Sequence, residues 1–172
     1  MEAGDFKRSP RLPDIRLRQA VGADAAAIGA VFDAAVREGW TFLGERAQRP
    51  MFSAPYWDQL VADHAPPRAL IVAADGAGSV VGFAAVQPEV GEMFLLFVDP
   101  SHAGRGIGRM LLDAAHDALR AAGLAEAFLF TEERNARARG VPARLAWLRT
   151  QPQLRQRTTS MPRACPLHTH AR

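Results

Sequence analysis

Cysteine and lysine are almost missing from this chain of 172 residues: each occurs once, as Cys165 and Lys7. A single cysteine excludes an internal disulfide framework and indicates a reducing compartment. No apolar run approaches the ~20 residues that span a bilayer, and the charged N-terminal segment lacks the apolar core of a signal peptide. We therefore expect a cytoplasmic protein with no membrane partner.

Acidic residues are absent from the C-terminal part. From Arg134 onward there are nine arginines and no Asp or Glu, whereas residues 1–133 hold 12 basic and 18 acidic residues. Such asymmetry occurs in nucleic-acid-binding arms, but the aromatic residues that stack on bases are not interleaved here, which disfavours nucleic acid as a partner. Residues 148–172 have no apolar alternation, so we expect a basic, disordered tail, and we expect disorder in residues 1–14 as well.

Residues 15–147 have the patterns of one folded domain. They predict a short strand at 15–20, two helices, strands at 69–75, 79–87 and 93–99, a long helix after a glycine-rich loop, and a strand at 125–130. The order β-α-α-β-β-β-α-β predicts a mixed α/β fold.

The glycine-rich loop, "PSHAGRGIGRMLL" (100–112), carries the clearest functional signal. Unpaired N–H groups at a helix N-terminus bind phosphate when bare backbone lets the ligand approach, and Gly104, Gly106 and Gly108 supply such backbone. Arg105 and Arg109 add positive charge. No Gly-Lys-Ser/Thr follows, which excludes a Walker loop, and the third glycine of a dinucleotide fingerprint would fall at Arg109.

The stretch "LLFVDPSHAGRGIGRMLL" resembles the GNAT superfamily of acetyltransferases, whose central motif reads roughly Q/R-x-x-G-x-G/A after a strand ending in V-x-P. The resemblance covers about residues 15–139. It implies a mostly antiparallel sheet flanked by helices, and transfer of an acetyl group from acetyl-CoA to a primary amine of a small molecule or protein. Ala103 stands where the family has Gln or Arg, which we expect to weaken binding of acetyl-CoA.

The same resemblance implies which residues hold acetyl-CoA. The Phe97–Val98 backbone would pair with the pantetheine arm like an added strand. The pyrophosphate would accept hydrogen bonds from backbone N–H groups of the loop and helix start, namely those of Arg105, Gly106, Ile107, Gly108, Arg109 and Met110. Gly104 would lie beside these groups and also contact acetyl-CoA.

For catalysis, a carboxylate must take the proton of the acceptor ammonium. Glu92, at the start of the strand before the loop, is our candidate base, and Glu89 and Glu45 are alternatives. Four aromatic residues near Glu45 either pack in the core or shape an acceptor pocket: Trp40, Phe42, Tyr56 and Trp57.

The family's next motif, N-x-x-A/S-x-x-F/L-Y-x-x-x-G-F/W, is only partly present in "NARARGVPARLAW" (135–147). Asn135, which we count with the acetyl-CoA residues, matches, but Pro142 stands at the tyrosine that is the usual acid for the departing thiolate. Proline inside that helix disrupts it. No alternating strands follow, so we expect the two strands that close the family's sheet to be absent.

These departures leave two interpretations open. The chain is an acetyltransferase of reduced activity, or it is a non-catalytic acetyl-CoA-binding relic or sensor. A change of reading frame near Arg139 is a further explanation of the atypical C-terminal part. Cys165, His168 and His170 have no metal-ligand spacing, so we expect no metal. The sequence does not distinguish a monomer from a homodimer.

Overall fold

The computed structural model describes residues 14–124, 127–130 and 148–151. Six strands form one sheet in chain order. The helices and strands are β1 (Arg16–Gln19), α1 (Ala25–Gly39), α2 (Ala54–Asp63), β2 (Ala69–Ala74), β3 (Val80–Gln87), β4 (Glu92–Val98), α3 (Ile107–Ala121), β5 (Ala127–Phe130) and β6 (Leu148–Gln151).

The first four strands pair antiparallel, whereas β5 runs parallel to β4. The predicted mixed α/β fold, an antiparallel sheet flanked by helices, is therefore confirmed. The expectation that no strand follows residue 147 is wrong, because Leu148–Gln151 form β6. It pairs parallel with β5 through its backbone, which an irregular side-chain pattern does not forbid.

Helices cover both faces of the sheet. On one face, α1 and α2 pack on β3 and β4 around Phe32, Trp57, Phe83 and Leu95. On the other face, an apolar stripe of α3 packs on Val86 and Met93, and its buried residues are Ile107, Leu111, Leu112, Ala115 and Leu119. Central strands covered on both sides explain the continuous apolar runs of β2, β3 and β4.

One β-bulge interrupts the pairing of β3 with β4. Ala85 pairs with Leu95, but Val86 pairs with Met93, which leaves Phe94 as an extra residue on β4. Met93 consequently packs on the α3 face while Leu95 packs on the face of α1 and α2. The bulge decides which way the first residues of β4 point.

None of the helices in the described ranges is long and apolar enough to cross a membrane. The predicted tail beyond residue 151 and the N-terminal residues 1–13 lie outside the described residues, as does the partial motif at 135–147 with Asn135 and Pro142.

Candidate active site

A short turn fixes the start of the glycine-rich loop. Asp99 Oδ1 accepts hydrogen bonds from the backbone N–H of Ser101 at 2.8 Å and from Ser101 Oγ at 2.5 Å. These hydrogen bonds lower the pKa of Asp99, so its carboxylate stays ionised and holds the turn. After the turn, Gly104 (φ +76°) and Gly106 (φ +84°) adopt left-handed backbone that favours glycine, and Gly106 caps α3.

The loop presents a row of unpaired backbone donors. Within the described part of the chain, no acceptor is found for the N–H groups of residues 104–108. The N–H groups of Arg109 and Met110 both donate to the carbonyl oxygen of Gly106, at 3.0 and 3.1 Å. The backbone N–H groups available to an anion are therefore those of residues 104–108. The predicted set was 105–110, but the N–H groups of Arg109 and Met110 complete the first turn of α3.

The two arginines of the loop already have partners within the chain. Arg105 Nη2 donates to the carbonyl oxygen of Ser101 at 3.1 Å. Arg109 Nε lies 2.8 Å from Asp113 Oδ2 in an exposed ion pair one helical turn apart. Exposed pairs of this kind are weak, so both guanidinium groups can turn to a phosphate at small cost.

The edge of β4 lies beside these donors. Only one residue pair, Glu92 with Phe128, is found between β4 and β5, although β5 continues to Phe130. Beyond Glu92, no described residue pairs with this edge of β4. Within the described residues the two strands are therefore paired only at Glu92, and there the C-terminal part of β4 has one row of backbone groups without a partner, which we call the open edge of β4.

Backbone alternation identifies the residues in that row. The N–H of Asp99 donates to the carbonyl oxygen of Val81 on β3 at 2.9 Å, so Asp99 and Phe97 direct their backbone groups toward β3. The carbonyl oxygen of Phe97 also lies 3.0 Å from the position that a Cβ on Gly82 would occupy. Leu96 and Val98 therefore direct their backbone groups toward the open edge. Of the predicted pair Phe97–Val98, the geometry leaves Val98 available, and it adds Leu96.

The start of α3 approaches the end of β4 at Gly108. A Cβ built on Gly108 would lie 3.7 Å from Val98 Cγ2, an ordinary contact, and meets nothing else within 4 Å. The free N–H groups of the loop and the open edge of β4 thus form one continuous backbone surface.

Of the three candidate bases, only Glu92 is buried. The residue is 8% exposed, no hydrogen bond of its carboxylate is found among the described residues, and burial raises its pKa. Glu89 differs, because it is exposed and pairs with Arg68 Nε at 2.8 Å. A hydrogen bond from its own backbone and this ion pair lower its pKa. Glu45 is exposed in the link between α1 and α2.

The aromatic residues pack mainly with one another. Trp57 is buried against Gly29, and Tyr56 stacks on Phe52 with a centroid distance of 4.1 Å. Trp40 packs between Phe42 and Phe97, at 6.1 and 6.2 Å. Core packing accounts for these contacts, and the partly buried Phe42 and Tyr56 pack against the same cluster.

Sequence reasoning did not select His64. This residue follows Asp63 as the C-cap of α2, is 3% exposed, and stacks on Phe94 of β4. A lone histidine at a helix end has no spacing that marks it, so only the fold reveals its position. No group of three or more metal-ligating side chains occurs among the residues that the structure describes.

The chain belongs to the GNAT family of acetyltransferases, whose model matches residues 32–147. Mycothiol acetyltransferase of Clavibacter michiganensis subsp. michiganensis is 35% identical over 124 residues, which are 67% of this chain and 40% of that enzyme. The enzyme of the same name from Propionibacterium freudenreichii subsp. shermanii is 35% identical over 102 residues, 56% of this chain and 33% of that enzyme. The chain thus spans about two fifths of the first relative's length.

Solved structures support the fold. The yncA protein of Salmonella typhimurium, solved with its cofactor acetyl-CoA, superposes with a TM-score of 0.62 at 22% identity, over 77% of this chain and 78% of that one. The ribosomal-protein-S18-alanine N-acetyltransferase of Escherichia coli superposes with a TM-score of 0.60 at 20% identity, over 77% and 76%.

Proposed function

We propose that this protein is an acetyl-CoA-dependent N-acetyltransferase that acts on a primary amine. The observation that carries the proposal is the continuous backbone surface formed by the free N–H groups of 104–108 and the open edge of β4. Such a surface suits a ligand with a pyrophosphate at one end and an amide-containing arm at the other. Acetyl-CoA, when bound, supplies the activated acetyl group.

The chain's own residues then have distinct roles. The N–H groups of residues 104–108 bind the pyrophosphate, and Arg105 and Arg109 add charge when they leave their present partners. The backbone groups of Leu96 and Val98 pair with the arm and offer an N–H to the acetyl carbonyl oxygen. Asn135, predicted from the second motif, lies outside the described residues and stays a prediction.

Glu92 is the proposed general base. It lies six positions before Val98, about 20 Å along the strand, and so at the opposite end of β4 from the phosphate donors. A ligand that enters at the loop and follows β4 directs its far end toward this carboxylate. A raised pKa suits a base, because the group accepts a proton more readily than an exposed carboxylate does.

Among the described residues, none is evident as an acid for the departing thiolate. Pro142 stands at the tyrosine position of the motif, and Tyr56, the one tyrosine in the chain, stacks on Phe52 in the aromatic cluster. We propose that water protonates the thiolate and that transfer is slow as a result. Loss of general acid catalysis lowers a rate by about 10²–10⁴-fold without abolishing it.

Single-turnover release of CoA thiol, measured with a panel of primary amines, tests this function. We expect transfer by the parent chain and a large loss in Glu92→Gln. The panel should include the acceptor used by the mycothiol acetyltransferases that resemble this chain. Binding of acetyl-CoA without transfer to any amine would favour the alternative, a non-catalytic relic, for which Pro142 is the supporting observation.

The cellular location and the partners of the protein are proposals as well. We propose a cytoplasmic location on the basis of the single cysteine, with acetyl-CoA and an amine of a small molecule or protein as partners. Monomer and homodimer both stay open.

A further inference from the structure

His64 contains a buried nitrogen that has no hydrogen-bond partner. Its Nδ1 lies 2.6 Å from the carbonyl oxygen of Leu60, and a carbonyl only accepts, so Nδ1 carries the hydrogen. The other ring nitrogen, Nε2, is therefore an acceptor. It is buried, and among the described residues no donor reaches it. Buried polar atoms in native proteins nearly always have a partner, which is often an ordered water.

This nitrogen lies at the same end of β4 as Glu92. The His64 ring stacks on the ring of Phe94, two residues after Glu92, with centroids 5.5 Å apart. Glu92 pairs with Gln87 of β3. Phe83 and Ala85 pack on the face of α1 and α2, and because every second residue of a strand shares a face, Gln87 lies on that face too. The side chain of Glu92 shares that face, and α2 brings His64 to it.

We propose that His64 is a positioning residue that acts on Glu92 through one buried water, an inference that rests on the proposed function. The water donates one O–H to the Glu92 carboxylate and the other to His64 Nε2. Because both of its hydrogens are committed, its oxygen lone pairs face the acceptor amine. Without Nε2, that water can rotate and present a hydrogen to the ammonium instead.

The proton balance of this arrangement is simple. The water accepts a proton from the acceptor's ammonium group and passes a proton to the Glu92 carboxylate, which leaves the amine neutral and its lone pair free for attack. Water is regenerated, and His64 keeps its single hydrogen on Nδ1 throughout. The imidazole orients the water and does not itself exchange a proton.

The surroundings of His64 keep it neutral, as the arrangement requires. Burial lowers its pKa, and the charge of Arg68 lowers it further. The hydrogen bond to the Leu60 carbonyl oxygen and the charges of Asp63 and Glu89 act in the opposite direction but are outweighed. The backbone of His64 is also fixed, because Gln19 Nε2 donates to its carbonyl oxygen at 2.8 Å.

Two variants of His64 test the inference through the pH dependence of kcat/KM. His64→Phe retains a ring against Phe94 but removes the acceptor, whereas His64→Gln retains an acceptor oxygen near the position of Nε2. We expect His64→Phe to lower kcat/KM at least 10-fold and to move its acid limb to higher pH, because the Glu92 carboxylate loses a well-oriented hydrogen-bond donor. We expect His64→Gln to restore most of the rate and the position of that limb.

Calorimetric titration with acetyl-CoA separates this inference from the function on which it rests. Unchanged acetyl-CoA affinity in both variants, with the shifted acid limb in His64→Phe alone, supports the inference. If His64→Phe is active with an unshifted limb, or if His64→Gln loses as much as His64→Phe, the inference is wrong although transfer itself remains. If Glu92→Gln is as active as the parent chain, the proposed base is wrong instead.

Discussion

Replacing Gly108 by alanine tests whether bare backbone at the start of α3 binds acetyl-CoA. The position suits the experiment because the fold tolerates the change: the new Cβ meets only Val98 Cγ2, at 3.7 Å. Gly106 is less suitable, because its φ of +84° strains any other residue and a loss of binding could reflect damage to the loop.

The structure predicts opposite effects of Gly108→Ala on stability and on binding. Alanine is favoured over glycine inside a helix by roughly 0.5–1 kcal/mol, so the melting temperature should rise by about 1–4 °C. The methyl group would fill part of the gap between α3 and the end of β4, where the ligand must approach the N–H groups. Loss of one hydrogen bond to a charged phosphate oxygen costs roughly 1.5–3 kcal/mol, which weakens Kd about 10- to 150-fold.

Calorimetric titration with acetyl-CoA and a thermal melt measure the two effects on the same samples. Gly39→Ala is the matched control, because it adds the same methyl group at the end of α1, where a Cβ meets nothing within 4 Å. Its affinity for acetyl-CoA should equal that of the parent chain. If Gly108→Ala melts higher and binds as tightly as the parent, the backbone at 108 does not contact the ligand and the placement of the pyrophosphate is wrong.

Three further substitutions address the base, the packing of α3 and the charge of the loop. Glu92→Gln should lower single-turnover transfer about 10²–10⁴-fold. Because burial raises the pKa of Glu92, the parent chain loses stability as pH rises from the ordinary carboxyl pKa through the raised one. The stability advantage of the variant in denaturant titrations should therefore grow over that pH range, and a constant difference would contradict this account. Gly82→Ala should destabilise the fold by about 1–3 kcal/mol in the same titrations, because its Cβ would lie 3.0 Å from the carbonyl oxygen of Phe97, and an unchanged midpoint would mean that α3 and β4 shift freely. Asp113→Asn should free Arg109 and tighten acetyl-CoA binding by at most about 5-fold, most clearly at low salt, and weaker binding would show that Asp113 orients Arg109 productively.

Sequence patterns predicted the order of elements up to β5 because each depends on local periodicity. The apolar stripe of α3 and the runs of β2, β3 and β4 are visible without knowledge of the partners. The strand β6 was missed, because its partner is a backbone edge and the segment "LRTQ" has no alternating apolar residues. Its pairing depends on the position of β5, which no local pattern contains.

In the candidate site, too, local patterns predicted some features, whereas others depend on tertiary structure. The glycine spacing predicted a bare helix start, and the structure places it beside β4. The choice between Phe97 and Val98 could not come from sequence, because it depends on which of the two faces β3. The difference between Glu89 and Glu92 is likewise tertiary: the two residues are three positions apart, yet one pairs with Arg68 in solvent and the other is buried.

The bulge at Phe94 connects the two ends of the proposed site. In a regular strand, Glu92 and Val98 are an even number of residues apart, so their side chains would point to the same face. In this fold Val98 packs on the α3 face, whereas Glu92 lies on the face of α1 and α2. The extra residue inverts the alternation, so one strand offers its open backbone edge to the donor and turns its carboxylate toward the other face, where His64 lies. If Phe94 took part in regular pairing instead of bulging, Glu92 would point into the apolar contacts of α3. We therefore regard the bulge as the feature that allows β4 to serve both purposes.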